Sequence, residues 1–155
     1  MKLTLQTDYA LRALIYLGVR TERLCSIREI AGAYGISEAH MVKVVHKLGQ
    51  GGFAETLRGR NGGLRLGRAA DEIVIGDVVC YFEENMALLA CMENGAAATL
   101  CKLMPACRLQ NVLIQARRAM MAVLNDHTLA DVITAFEINR LTKDENSQSF
   151  TLTGR

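Results

Sequence analysis

Two helix-start signals separated by one glycine constrain the fold of this chain more than any other feature. Ser26 and Glu29 stand three residues apart, which is the spacing of a capping box, and they open a segment that ends at Gly35. Ser37 is a second helix cap, and the segment that follows it, residues 38–48, stops at a run of glycines. Two short helices joined by a tight turn form a helix-turn-helix.

A further helix and a hairpin flank this motif. Thr7 is a suitable cap for a first helix that runs to about Gly18. After the glycines the pattern changes, and residues 53–58 and 63–66 are predicted strands around an Asn-Gly turn signal. A helix-turn-helix followed by an arginine-bearing hairpin is typical of a winged helix, so the fold class is predicted to be mainly α with a two-stranded wing.

The winged helix predicts which residues would face DNA. The second helix of the motif fits the major groove, and wing arginines reach phosphates or the minor groove. The candidate DNA-contacting residues are Ser37, His40 and Lys43 on the helix, Lys47 on a phosphate, and Arg58, Arg60 and Arg65 on the wing. Helix-turn-helix patterns also occur in proteins that never touch DNA, but the arginine-rich glycine hairpin and the uneven distribution of charge together favour DNA binding.

Charge is divided unevenly along the chain. Residues 1–70 hold 11 Lys and Arg against 5 Asp and Glu, whereas residues 71–155 hold 7 against 11. A basic half joined to an acidic half indicates that the first half meets a polyanion.

The start of the chain lacks the order of a signal peptide and no apolar run could span a membrane, so we expect a cytoplasmic protein. Neither a nucleotide-binding loop nor a nucleophile–base pair indicates an enzyme.

The second half is dominated by one long amphipathic helix, predicted from Pro105 to Asn125. Its apolar residues recur at steps of three and four: Leu109, Val112, Leu113, Ala116, Met120, Val123 and Leu124. An ordinary core helix is one explanation; we favour a dimerisation helix, because a small winged domain offers little surface to cover this stripe. Shorter helices are expected at residues 77–84 and 129–136. The predicted organisation is a DNA-binding domain (1–70), a cysteine loop with dimerisation helices (71–135) and a polar, disordered tail (136–155).

Cys91, Cys101 and Cys107 cluster in the loop before the long helix. Their spacing is not that of a zinc ribbon, and three thiolates in a loop suit a soft-ligand centre such as an iron–sulfur cluster. Three buried or reactive cysteines without metal are nearly as well supported by spacing alone. Cys25 and Cys80 lie in or beside apolar stripes and are predicted to be small core residues.

Five segments resemble the Rrf2 family of bacterial winged-helix regulators, together spanning about residues 1–135. They are residues 3–12 (LTLQTDYALR), 40–43 (HMVK), 58–66 (RGRNGGLRL), 105–109 (PACRL) and 128–132 (TLADV). The resemblance implies a homodimer in which the long helices cross and each winged domain reads half of a palindromic operator.

In the nitric-oxide-sensing members, the resemblance further implies one iron–sulfur cluster per subunit, of the 4Fe–4S or 2Fe–2S type. Its ligands here would be Cys91, Cys101, Cys107 and Asp8 of the partner subunit. Gln110 stands where members that sense cluster supply have a histidine, which favours the nitric-oxide-sensing members. We therefore expect a transcriptional repressor that releases its operator when nitric oxide attacks the cluster. The alternatives are a regulator that responds to iron or cluster status and a thiol or zinc regulator without iron.

Overall fold

Helices and one hairpin make up the computed structural model, which describes residues 2–60, 62–92 and 107–148, with the backbone alone for 144–148. The helices are α1 (Leu5–Val19), α2 (Ile27–Tyr34), α3 (Glu38–Gln50), α4 (Ile75–Phe82), α5 (Arg108–Asn125) and α6 (Ala135–Gln148). The strands β1 (Ala54–Leu57) and β2 (Gly63–Leu66) pair antiparallel, and short 3₁₀ turns lie at Ala70–Glu72, Ala90–Met92 and Ala130–Val132. This architecture confirms the prediction of a mainly α chain with a two-stranded wing.

The helix-turn-helix follows the sequence signals closely. The Ser26 hydroxyl accepts the Glu29 N–H at 3.1 Å, and Glu29 Oε2 accepts the Ser26 N–H at 3.1 Å, so the capping box is complete. Gly35 ends α2 with φ 63°, a left-handed conformation that glycine adopts without a steric penalty. Ser37 caps α3, which continues to Gln50, two residues beyond the predicted end.

The cap of α1 is Thr4, which corrects the prediction that Thr7 holds this position. Thr4 Oγ1 accepts the Thr7 N–H at 3.3 Å. Thr7 is buried, and its hydroxyl donates to the carboxylate of Glu83, 76 residues further along the chain. The correction has a tertiary cause, because only the folded chain brings Glu83 to the first turn of α1.

The wing is joined to the helices by a short backbone ladder. Ala54 pairs with Leu66 and Thr56 with Leu64. The Cys25 N–H donates to the Leu64 carbonyl at 2.9 Å, and the Leu64 N–H donates back at 2.8 Å. This isolated antiparallel bridge holds the base of the wing against the segment before α2.

The core lies where α1, α2, α3 and β2 meet. Leu14, Ile30, Met41, Leu48 and Leu64 are each 2% exposed or less. Burying each such side chain stabilises the fold by about 1.5–3 kcal/mol relative to leaving it in water. The core therefore fixes the orientation of α3 relative to the rest of the winged domain.

The second half of the chain folds back onto the first. α4 packs against both α1 and α5. The Ile75 N–H donates to the His127 carbonyl at 2.9 Å, and the Leu129 N–H donates to the Ile73 carbonyl at 2.7 Å. The segment after α5 thus returns beside the start of α4. The predicted beginning of the long helix at Pro105 lies outside the described residues.

α6 corrects two predictions about the end of the chain. The short helix expected at 129–136 is a 3₁₀ turn at Ala130–Val132, and residues 136–148 of the expected disordered tail belong to α6. Leu141 is buried against the core, and its carbonyl accepts a hydrogen bond from Arg20 Nη2 at 2.6 Å. The Thr134 N–H donates to Glu137 Oε2 at 2.9 Å, which is a helix-start signal within an otherwise polar segment.

In the described part of the chain, none of the helices has the length and apolar character needed to cross a membrane.

Candidate nucleic-acid interface and metal-ligand positions

α3 has a clear inner and outer side. Met41, Val44, Val45 and Leu48 are buried in the core. Ser37, His40 and Lys43 are exposed at its N-terminal end, as is Val42, an apolar residue with half of its surface in solvent. The structure therefore brings three of the predicted DNA-contacting residues together on the open side of one helix.

His40 connects this surface to α1. The centroid of its ring lies 6.5 Å from that of Tyr9, with the two planes inclined by 36°. Tyr9 follows Asp8 directly in the chain, so the first turns of α1 lie beside the N-terminal half of α3. A shift of α1 would therefore be felt by His40.

Lys47 points away from the other predicted DNA-contacting residues of α3. Its ammonium lies 5.0 Å from the centroid of Phe82 and 5.8 Å from that of Tyr81, on the side of α3 that meets α4. It also lies close enough to Glu83 to favour the ionised carboxylate. The prediction that Lys47 contacts a phosphate has no support from this arrangement, because the side chain already has an aromatic and acidic environment within the protein.

The wing presents its arginines in two different ways. Arg65 pairs across the hairpin with Glu55, with Nε and Nη2 at 2.8 and 2.7 Å from the same carboxylate oxygen. Arg58 and Arg60 are exposed beside the turn. Arg58 lines a groove with His46 and Gln50, where the wing meets the end of α3. The exposed surface of α3 is therefore continuous with the root of the wing.

Besides Glu55 of the wing, Glu38 is an acidic residue within this basic surface, and the sequence alone did not single it out. Glu38 is the first residue of α3, and its Oε1 accepts a hydrogen bond from Arg28 Nε of α2 at 2.7 Å. The sequence signal for Glu38 is its position directly after the helix cap Ser37.

The described cysteines of the loop lie at neighbouring places in the fold. Cys91 is half-buried in the 3₁₀ turn, and Cys107 is buried at the N-cap of α5. Gln110 Nε2 donates to the Cys91 carbonyl at 3.3 Å, which ties the 3₁₀ turn to the first turn of α5. Cys101 lies outside the described residues. Among the residues the structure does describe, no group of three His, Cys, Asp or Glu side chains is close enough to hold a metal.

The sulfur atoms of Cys91, in the 3₁₀ turn, and Cys107, at the N-cap of α5, are soft donors of the kind that iron–sulfur clusters take as ligands. Asp8 lies on α1 and is paired with Arg12, with Oδ1 2.8 Å from Nε.

Of the remaining cysteines, Cys25 is buried as predicted, whereas Cys80 is exposed, which corrects its prediction as a core residue. Cys80 lies on the outer side of α4, and its apolar sequence neighbours gave no indication of this position.

Glu83 joins the root of the cysteine loop to the first turn of α1. Its Oε1 accepts hydrogen bonds from the Thr4 N–H at 2.7 Å and the Thr4 hydroxyl at 3.1 Å, and from the Thr7 hydroxyl. Burial acts to raise the pKa of Glu83, but the hydrogen bonds from Thr7 and Thr4 outweigh it and lower the pKa below its ordinary value. Glu83 is thus an ionised link between the segment that carries Cys91 and the helix that carries Asp8.

Comparison with known proteins agrees with this architecture. A family model described as Rrf2, iron-dependent transcriptional regulator, matches residues 3–135. The chain belongs to the Rrf2 family. Family membership identifies it as a transcriptional regulator rather than an enzyme and confirms the resemblance on which the sequence analysis relied.

Relatives within the Rrf2 family carry more specific names. The chain is 47% identical to the HTH-type transcriptional regulator NsrR of Geobacillus kaustophilus and 45% identical to NsrR of Bacillus subtilis, each over 86% of this chain and 90% of the relative. Among solved structures, CymR, the global cysteine regulator of B. subtilis, has a TM-score of 0.68 at 26% identity and covers 86% of this chain and 96% of its own. T. potens IscR has a TM-score of 0.64 at 19% identity and covers 100% of this chain and 94% of its own, a likeness of fold.

Proposed function

We propose that this Rrf2 protein is a homodimeric repressor that binds operator DNA and senses nitric oxide through an iron–sulfur cluster. The observation that carries the proposal is the similarity to the NsrR relatives over 86% of the chain. The family match over residues 3–135 includes Asp8, Cys91, Cys101 and Cys107. DNA binding, the homodimer and the positions of the proposed ligands are supported by separate features of the structure.

DNA binding is supported by the open side of α3 and by the wing. Ser37, His40 and Lys43 stand at the end of the helix that enters the major groove in proteins of this design. Arg58 and Arg60 extend the surface toward the minor groove or phosphates. Arg65 lies on the same hairpin, where it pairs with Glu55.

A homodimer is supported by the apolar side of α5 that this subunit leaves uncovered. Leu109, Val112 and Val123 are 58%, 60% and 59% exposed, and no residue of α5 is buried. These side chains recur at helical spacing and form one stripe. A second copy of the helix is the proposed cover, because two-fold symmetry would also place two α3 helices for a palindromic operator.

The proposed cluster ligands are Cys91, Cys101 and Cys107 of one subunit and Asp8 of the partner subunit. The bond from Gln110 to the Cys91 carbonyl keeps Cys91 near Cys107. When bound, the cluster would supply iron that reacts with nitric oxide. Asp8 lies in the first turns of α1, and the contact from Tyr9 to His40 would carry a movement of this helix to the DNA-reading helix.

The proposal is tested with full-length protein purified without oxygen. Visible and Mössbauer spectra should show an iron–sulfur cluster. The protein should also bind duplexes that it enriches from a random palindromic library. Nitric oxide should then abolish binding, whereas the variant Asp8→Ala should lose much of the response. A brown, DNA-binding protein whose affinity is unchanged by nitric oxide would contradict the sensing part of the proposal.

A second candidate, a regulator of iron or cluster status, is favoured by the iron-dependent description of the family model. It uses the same residues and differs in the signal. Treating the loaded protein with a chelator and with nitric oxide in separate experiments distinguishes the two, because a supply sensor responds to cluster loss by either route. A colourless, DNA-binding protein from the oxygen-free preparation would instead indicate the thiol or zinc alternative.

A further inference from the structure

Glu38 stands at a base-reading position that the proposed function leaves unassigned. It is the first residue of α3 and its side chain is 49% exposed. Residues at this end of a recognition helix contact base edges in the major groove. An unpaired carboxylate there would be repelled by the phosphates of DNA, so its presence calls for a specific partner.

Arg28 fixes the direction of this carboxylate. Its Nε lies 2.7 Å from Glu38 Oε1, and the arginine side chain is 86% exposed. Ion pairs this open to solvent contribute little to folding stability, and Ser37 already caps the helix. The pair is therefore not needed to hold α3 in place, and its remaining effect is to orient Glu38 and offset its charge.

We propose that Glu38 is a specificity-determining residue that accepts a hydrogen bond from the N4 amino group of a cytosine, with Arg28 as its positioning residue. This inference rests on the proposed DNA binding. An ionised carboxylate only accepts hydrogen bonds, and cytosine offers an amino donor in the major groove without an adjacent acceptor on the same base. Adenine also offers an amino group, but its N7 acceptor lies beside that group and repels a carboxylate oxygen.

Arg28 has a second use in the same complex. The first helix of a helix-turn-helix crosses the DNA backbone, and Arg28 lies on that helix, α2. The bond to Glu38 uses Nε, and the two terminal nitrogens of a guanidinium carry four more N–H groups that can donate to a phosphate. One arginine could thus offset the carboxylate and bind the strand beside it.

The test is a selection of palindromic duplexes from a random library at one fixed salt concentration. The full-length, oxygen-free protein is compared with E38A, E38Q and R28A. D77A serves as the charge-matched control, because Asp77 is exposed on α4 and its loss changes the net charge by the same amount as E38A. Binding of the enriched duplexes and of single-base variants is then measured by fluorescence anisotropy.

We expect the wild-type chain and D77A to prefer cytosine at one position of each half-site by about 5- to 150-fold. E38A should lose that preference while keeping the rest of the motif, and E38Q should shift it toward adenine, which pairs with an amide through N6 and N7. R28A should weaken the preference and also lower the affinity for every duplex.

Two results would overturn the inference alone. One is an enriched motif that E38A and E38Q leave unchanged. The other is a uniform gain in affinity for E38A at all sequences, which would mean that Glu38 only repels phosphates. Failure of the wild-type chain to enrich any duplex would overturn the proposed function together with this inference.

Discussion

At the residue scale, Glu29 joins a local capping signal to a tertiary contact. One carboxylate oxygen accepts the Ser26 N–H, and the other accepts the Tyr16 hydroxyl at 3.2 Å and a hydrogen bond from Arg23. Burial acts to raise the pKa of Glu29, but the bonds from Arg23, Ser26 and Tyr16 lower it below its ordinary value of about 4.5. The same surroundings raise the pKa of Tyr16 to about 12, first through its own burial.

Replacing Glu29 by glutamine should make the protein less sensitive to acid. A lowered carboxylate pKa contributes stability that is present above pH 4.5 and is lost as the pH falls through the lowered value. The amide of E29Q does not titrate in this range. Urea unfolding between pH 3 and 6 should therefore show a shallower fall in the free energy of unfolding for E29Q than for the wild type. Parallel curves for the two proteins would contradict this role of Glu29.

At the element scale, the wing depends on backbone geometry that only glycine fits well. Gly59 has φ 115°, and its carbonyl accepts the Gly62 N–H at 3.0 Å. A Cβ placed on Gly62 would lie 2.3 Å from the Leu57 carbonyl oxygen, closer than any real contact. The close turn holds Arg58 and Arg60 at the outer end of a hairpin anchored by Leu64.

Replacing Arg60 by alanine should weaken operator binding by about 1–3 kcal/mol if its guanidinium enters a groove. The expected change in folding stability is small, since Arg60 is exposed. Anisotropy titrations with an enriched duplex measure the effect, and Arg140→Ala, an exposed arginine of α6, provides the charge-matched control. Equal affinities for R60A and R140A would remove Arg60 from the interface.

At the scale of the whole molecule, α5 and α6 have opposite relations to the winged domain. α5 leaves an apolar stripe in solvent, whereas α6 docks on α1 through Leu141 and Arg20. The Arg20 guanidinium also lies 3.9 Å from the centroid of Tyr16, within the same contact. One helix is therefore available to a second copy, while the other completes the subunit itself.

Replacing Val112 by glutamate should convert the proposed dimer into monomers. An unpaired charge in an apolar interface costs about 3 kcal/mol or more, which raises the dimer dissociation constant by about 100-fold. Sedimentation velocity over a range of protein concentrations measures the change. Asn111→Glu adds the same charge about 100° away around α5 and should leave the dimer intact. A V112E protein that sediments like the wild type would exclude this face from the interface.

Replacing Leu141 by alanine should destabilise the protein by about 2–5 kcal/mol, the usual cost of truncating a buried leucine. The prediction follows from the burial of Leu141 against the core. Thermal and urea unfolding measure the loss, and Ile138→Ala, a more exposed position of the same helix, should cost much less. Wild-type stability in L141A would mean that α6 contributes nothing to the fold.

The sequence by itself determined the parts of this protein that depend on neighbours three or four residues apart. The Ser26–Glu29 box, the Gly35 turn and the Ser37 cap form where they were predicted, because their hydrogen bonds close within about one turn of chain. The hairpin also forms where it was predicted, because its two strands are joined by a short turn. The resemblance to the Rrf2 family also came from such short segments and is confirmed.

Only the tertiary structure decided which side chains meet across long stretches of chain. Thr7 bonds to Glu83 instead of capping α1, and Lys47 lies beside Phe82. The polar segment after residue 135 forms a helix because Leu141 packs in the core. The contacts of Thr7 and Lys47 leave no periodic or local signature, since their partners lie in or beside α4, which is distant from both in sequence.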